Sequence, residues 1–151
     1  MARYTHTSEV GKDVCILGAG LVGLELGIHL AMQGRRVQVV EMAPAINDGG
    51  NFLHGIGLRT ELKKRGVKVD LDTRAVEIRP DGVLCGQADG EVFFPADTVI
   101  YAVGQRPESE ATLALRLCAP ELYQIGDCLA PRNISSATGA AYQIACDIGR
   151  Y

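Results

Sequence analysis

The apolar residues of this chain fall into two rhythms. Val14-Cys15-Ile16-Leu17, Val37-Gln38-Val39-Val40 and Thr98-Val99-Ile100-Tyr101-Ala102-Val103 are short, nearly unbroken apolar runs. Such runs, rich in β-branched residues, predict buried strands over 13–18, 36–41 and 98–103. Between the first two, Leu21, Leu24, Leu26, Ile28, Leu30 and Ala31 supply the apolar surface of a helix over 21–33, closed by Gly34. A loop from Met42 to Gly50, holding Pro44, Gly49 and Gly50, leads into a weaker helix over 51–65. That helix is interrupted by Gly55 and Gly57, and its basic tail ends at Gly66, as suits a helix C-terminus.

Val67-Lys68-Val69-Asp70-Leu71 alternates with period two and predicts a strand. Three further short segments follow, near 74–79, 83–87 and 91–94, with Asp81-Gly82 and Asp89-Gly90 as the turns between them. This reads as an antiparallel meander. Residues 105–120 read as mixed loop and short helix. Leu122-Tyr123-Gln124-Ile125 reads as a short strand ending in Gly126-Asp127, and 133–149 as a helix with small residues on one side. No internal repeat or low-complexity tract is visible.

The junction of first strand and first helix carries the chemistry. Gly18-Ala19-Gly20-Leu21-Val22-Gly23 is G-x-G-x-x-G, placed between a strand and a helix. Eighteen residues past Gly23, the second strand ends in Glu41. That context makes it a dinucleotide-binding fingerprint; a lone G-x-G-x-x-G is a weak signal. Gly18 permits the tight turn, Gly20 lets backbone approach a pyrophosphate, and Gly23 lets the helix pack on the strand. The helix then presents N–H groups and its positive end to the phosphates, with no need of a basic side chain. Glu41 can accept both adenosine ribose hydroxyls and would repel a 2′-phosphate, which favours NAD over NADP. Met42 follows it at the same edge. Val103 and Gly104 end the strand after the meander and fall beside the cofactor, because ligands of open parallel sheets lie outside the strands' carboxyl ends. Glu25, two residues after Gly23, is read either at the nicotinamide side or as an exposed helix glutamate. Arg35 and Arg36 precede the second strand and need not touch ligand.

Composition narrows the field. The chain has 151 residues, about one domain, with 47% hydrophobic residues and a formal charge of -3. Its pI near 5.6 gives no electrostatic reason to expect nucleic acid or an anionic membrane. No run of 18 apolar residues suggests a transmembrane helix, and Met1–Lys12 is polar, a tail or linker (residues 1–11) without a signal-peptide core. Five cysteines, at 15, 85, 118, 128 and 146, form no C-x-x-C and no metal or iron–sulfur spacing. They read as reduced thiols of a cytoplasmic protein, with Cys15 a small core residue. His6 lies in the tail, His29 in a helix, and His54 near the cofactor crevice with no identifiable partner. No Ser–His–Asp or Cys–His arrangement stands out. Asp70 and Asp72, two apart on a strand, would share a face but make a poor metal site.

Three motifs occur in order: Gly18-Ala19-Gly20-Leu21-Val22-Gly23-Leu24-Glu25, Val99-Ile100-Tyr101-Ala102-Val103-Gly104-Gln105-Arg106-Pro107 and Tyr123-Gln124-Ile125-Gly126-Asp127-Cys128. Together, over about residues 12–150, they resemble the pyridine nucleotide-disulfide oxidoreductase superfamily. The nearest likeness is to the C-terminal nucleotide-binding region of NADH:flavin oxidoreductases of the 2,4-dienoyl-CoA reductase and enoate reductase type. The resemblance implies a Rossmann-like three-layer α/β domain, with a parallel sheet and an antiparallel β-meander, plus a partial FAD-domain segment. Residues 12–104 would be the inserted NAD(H)-binding domain, and 105–151 the returning piece of a split FAD-binding domain. Gly126 and Asp127 would match the family's Gly-Asp pair, whose aspartate contacts the flavin nucleotide. The chain departs from the pattern in holding only one G-x-G-x-x-G and no redox-active C-x-x-C.

The leading expectation is therefore the NADH-binding portion of a flavin-dependent oxidoreductase. It would pass hydride from NADH to FAD in a longer parent and lack activity alone, with upstream FAD and FMN domains as its partners. No catalytic acid or base is required from this segment, since the two cofactor rings supply the chemistry. The alternative is a stand-alone NAD(H)-binding or redox-sensing module without catalysis, with pairing into a homodimer left open. A third reading is a compact reductase using free flavin.

Overall fold

The computed structural model describes residues 9–47 and 52–149. His6, Gly49 and Gly50 lie outside them. The chain forms two compact units, Met1–Gly104 and Gln105–Tyr151.

The first unit is an α/β fold with a parallel sheet and a separate antiparallel sheet. Strand β1 (Asp13–Leu17) leads into helix α1 (Leu21–Met32), strand β2 (Arg36–Val40), helix α2 (Phe52–Arg65) and strand β3 (Lys68–Asp70). Strands β4 (Arg74–Arg79), β5 (Gly82–Gln87) and β6 (Gly90–Pro95) form the meander, and β7 (Thr98–Tyr101) returns to the first sheet. The parallel sheet runs β3-β2-β1-β7, and the antiparallel sheet runs β4-β5-β6.

The alternation of side chains along β1 explains the layering. Val14 and Ile16 face the helices and join Leu24, Leu30, Val37, Val39, Leu58 and Leu62 in one buried cluster. Cys15 and Leu17 face the other way and join Val40, Val83, Cys85 and Ala96 of a second cluster beneath the meander. A strand buried on both faces reads as an unbroken apolar run, which is why the sequence shows no alternation there. Burial pushes the Cys15 thiol up to about 12, with Cys85 and Asp70 adding to the shift, and raises the Cys85 thiol as well.

Both long helices of this unit stop in the same way. Gly34 (φ 83°) donates to the Ala31 carbonyl and Arg35 to that of Leu30; Gly66 (φ 69°) donates to Lys63 and Val67 to Leu62. Each is a Schellman ending, in which a left-handed residue turns the chain back and satisfies the last carbonyls.

Three expectations for this unit need correction. The run 98–103 is not a buried strand: β7 is a sheet edge, pairing with β1 on one side, and Tyr101 is 67% exposed. The meander turns are Pro80-Asp81 and Ala88-Asp89, since Gly82 and Gly90 already pair within the ladders. Gly82 serves close packing there, because a Cβ on it would lie 2.2 Å from the Phe94 carbonyl oxygen. Asp72 is not on a strand with Asp70; it sits beyond β3 in a turn with φ 50°.

The second unit holds the short helix α3 (Ser109–Leu113), a 3-10 turn at Gly126–Cys128 and helix α4 (Ile134–Asp147). Asn133 caps α4, its Oδ1 accepting the Ser136 N–H at 2.8 Å. Ile125 is extended, but Leu122–Ile125 belongs to no ladder, so the strand expected there is not formed. An extended segment becomes a strand only when a neighbour takes up its N–H and carbonyl groups.

Candidate functional site

The site lies at the carboxyl ends of β1, β2 and β7. The Gly18 N–H donates to the Val40 carbonyl at 2.8 Å, and the Ala102 N–H to that of Leu17 at 2.7 Å. The glycine turn is thus seated between its two neighbouring strands. Gly18 has φ 105°, and a Cβ there would lie 2.5 Å from the Ala102 oxygen. A Cβ on Gly23 would lie 2.1 Å from the Gly18 oxygen. These two glycines serve the fold.

Gly20 is different. A Cβ there would meet nothing within 4 Å. Its backbone (φ -79°, ψ 176°) is extended and open to any residue. It caps α1 without a side-chain hydrogen bond. The first N–H groups of Leu21, Val22 and Gly23 have no partner within a helix, and no side chain of the cap competes for them. Val22 is exposed beside them, Leu21 is half-buried, and Ala19 is fully buried. An open cradle of this kind suits an anion, and no basic side chain is needed.

Glu41 stands immediately past β2. Its Oε2 accepts the Ala19 N–H at 2.7 Å, and its Oε1 accepts the Ala43 N–H at 2.9 Å. The carboxylate therefore fastens the glycine turn to the loop after β2. Each carboxylate oxygen can accept a further hydrogen bond, so the group still fits a ribose diol. Met42, Val103 and Gly104 lie exposed or half-exposed at the same edge, Gly104 with φ 97°. Gly126 and Asp127 belong to the second unit. They line a cavity of about 170 Å3 with Arg132, Asn133, Ser136 and Ala137 at the start of α4.

The remaining candidates find ordinary places. Glu25 is exposed on α1, and its Oε1 lies 3.1 Å from His54 Nε2 on α2, the partner that sequence could not supply. Arg36 pairs with Asp13, and that guanidinium holds the Asp13 carboxyl below the usual carboxylate range. Among the described residues no cluster of three or more His, Cys, Asp or Glu could hold a metal ion. Nor is any helix among them long and apolar enough to cross a membrane. Asn47 was not anticipated: its N–H donates to the Ala19 carbonyl at 3.1 Å, a second fastening of the glycine turn. An asparagine inside the loop after β2 was its only sequence signal.

Known proteins resemble this chain in sequence and fold. Residues 2–143 match the family described as pyridine nucleotide-disulphide oxidoreductase. The chain is 30% identical to a metal reductase of Desulforamulus reducens over 167 residues, covering 91% of this chain and 25% of that protein. It is 30% identical to a cinnamate reductase of Clostridium sporogenes over 143 residues, covering 93% of this chain and 22% of that protein. Among solved structures, a 2-naphthoyl-CoA reductase complex superposes with a TM-score of 0.84 at 28% identity, over 93% of this chain and 22% of that one. The chain thus spans about a quarter of the length of these relatives.

Proposed function

We propose a function from one premise: the chain belongs to the pyridine nucleotide-disulphide oxidoreductase family. Membership implies flavin and pyridine nucleotide as cofactors. In our reading residues 12–104 are the NAD(H)-binding domain and 105–151 a segment of a split FAD-binding domain in a longer protein. The observation that carries the reading is Gly20, whose open face adjoins the uncapped first turn of α1.

The cofactor's pyrophosphate would be held by the N–H groups following Gly20, and its adenosine ribose by the unused acceptor positions of Glu41. Met42, Val103 and Gly104 would border the cofactor, and Gly126 with Asp127 would meet the flavin nucleotide. NADH, when bound, supplies a hydride for the flavin. The chain's residues bind and orient, and none needs to move a proton. Between Glu41 and Asn47 no lysine or arginine occurs to balance a 2′-phosphate, which supports NADH over NADPH. The resemblance to enoate-type reductases makes an activated double bond the proposed final acceptor in the longer protein.

Calorimetric titration with NADH, NADPH and FAD tests this. NADH is expected to bind more tightly than NADPH, with little affinity for FAD. Glu41→Ala narrows the NADH preference by about ten-fold, the scale of hydrogen bonds to a charged group. Gly20→Val loses NADH and keeps the melting temperature. Folded protein that ignores NADH at millimolar concentration sinks the function. An unchanged preference in Glu41→Ala sinks only the role of that residue.

A further inference from the structure

We infer that Thr73, remote in sequence from the glycine turn, is a positioning residue for Glu41 and so for cofactor selection. The inference rests on the NAD(H)-binding reading above. Among the described residues, Thr73 is the one buried polar side chain, at 0% exposure. A hydroxyl so placed is costly unless both its hydrogen-bonding roles are used. Here they are. Its Oγ1 donates to the Leu71 carbonyl at 2.7 Å and accepts from Gln87 Nε2 at 2.8 Å.

These two bonds shape the turn that grips the residues after β2. The Glu41 N–H donates to the Asp70 carbonyl at 2.8 Å, the Thr73 N–H to the Glu41 carbonyl at 2.8 Å, and the Asp72 N–H to the Ala43 carbonyl at 3.1 Å. The main chain of Glu41 is thereby bonded on both sides by the 70–73 segment. Asp72, between them, holds a left-handed backbone (φ 50°), uncommon outside glycine though aspartate is among the residues that best tolerate it. A continuous series of hydrogen bonds therefore runs from Gln87 on β5, through Thr73, to the backbone of Glu41. It continues through the Glu41 carboxylate to the Ala19 N–H inside the glycine turn. Fixing the backbone of Glu41 fixes where its free acceptor positions point, and small misplacements of such groups weaken recognition. The meander is in this way part of the cofactor site without touching it.

The test compares Thr73→Val, which keeps the shape and removes the hydroxyl, with Thr73→Ser, which restores it. NADH and NADPH affinities are measured by titration, and the Ala19 amide is followed by NMR without cofactor. Thr73→Val is expected to cut the NADH-to-NADPH preference by about five-fold, the scale of one net hydrogen bond, and to shift the Ala19 amide resonance. Thr73→Ser restores both. Equal weakening toward both cofactors with an unmoved Ala19 amide overturns the inference and leaves a purely structural threonine. Should Thr73→Val fail to fold, Gln87→Leu removes the Gln87-to-Thr73 bond from the surface end, with the same two readouts deciding. Wild-type protein that binds no NADH would instead sink the parent reading, and the Ala19 signal alone would then still decide whether Thr73 positions Glu41.

Discussion

The two units of this chain are built on opposite principles. Residues up to Gly104 are held by long-range contacts: two buried clusters on either face of one sheet, with strands 80 and more residues apart in sequence paired side by side, as Val14 with Thr98. No residue of 105–149 is buried as a whole, and Leu117, Ile134 and Tyr142 stand largely exposed. Most of their order is local, in the Asn133 cap of α4 and the bonds within turns, with a longer-range bond from the Ser109 hydroxyl to the Cys128 carbonyl. The first unit has a buried core of its own. The second has secondary structure without a core, which in a small domain leaves little margin against chain entropy.

Thiol chemistry offers the largest contrast. Cys15 and Cys85 are buried in the first unit, whereas Cys118 is exposed in the second. With its pKa pushed up to about 12, the Cys15 thiolate is roughly a thousand-fold scarcer than that of an ordinary thiol near pH 8. Alkylation of native protein, read by peptide mass, should modify Cys118 quickly and spare Cys15 and Cys85. Rapid labelling of Cys15 in otherwise folded protein would erase the distinction. Core truncation is the next test. Ile16→Ala should destabilise by about 2–5 kcal/mol, and Leu117→Ala by no more than about 0.5 kcal/mol, measured by urea unfolding. Comparable losses would mean that the second unit has a core after all.

A smaller effect sharpens the picture within the first unit. Asp13, hydrogen-bonded to Arg36, has its carboxyl lowered below the usual range. Its contribution to stability is therefore present above the ordinary carboxylate pKa and lost as pH falls through the lowered folded value. Asp13→Asn should shift the urea midpoint slightly near neutrality and leave it unchanged in strong acid. Salt should shrink the difference, because the pair is exposed. A salt-independent difference would mean that Asp13 acts through packing.

Much of the first unit could be read in advance because its signals are local. Both Schellman glycines, the unbroken run of β1 and the helical spacing of α1 each lie within a dozen residues. So does the glycine turn, and with it the heart of the candidate site. What escaped reading depends on partners. Val99 and Ile100 look like an inner strand, yet whether a strand is central depends on a neighbour that its own residues do not encode. Leu122–Ile125 has a strand's composition and no ladder to join. The bond from Ala19 to Glu41 spans 22 residues, and that from Gln87 to Thr73 spans 14. No periodicity marks either. The exposed edge in the first unit and the unpaired segment in the second share one lesson: composition proposes a strand, and pairing decides it.

Glu41 already serves two main-chain amides before any ligand arrives. That preorganisation would lower the ordering cost of binding a nucleotide, and it also constrains anyone wishing to reverse the proposed NADH preference. Replacing the carboxylate with a cation to welcome a phosphate would strip the Ala19 amide of its acceptor and loosen the glycine turn proposed to cradle the diphosphate. A successful redesign would have to supply a new acceptor for that amide in the same step as the new charge.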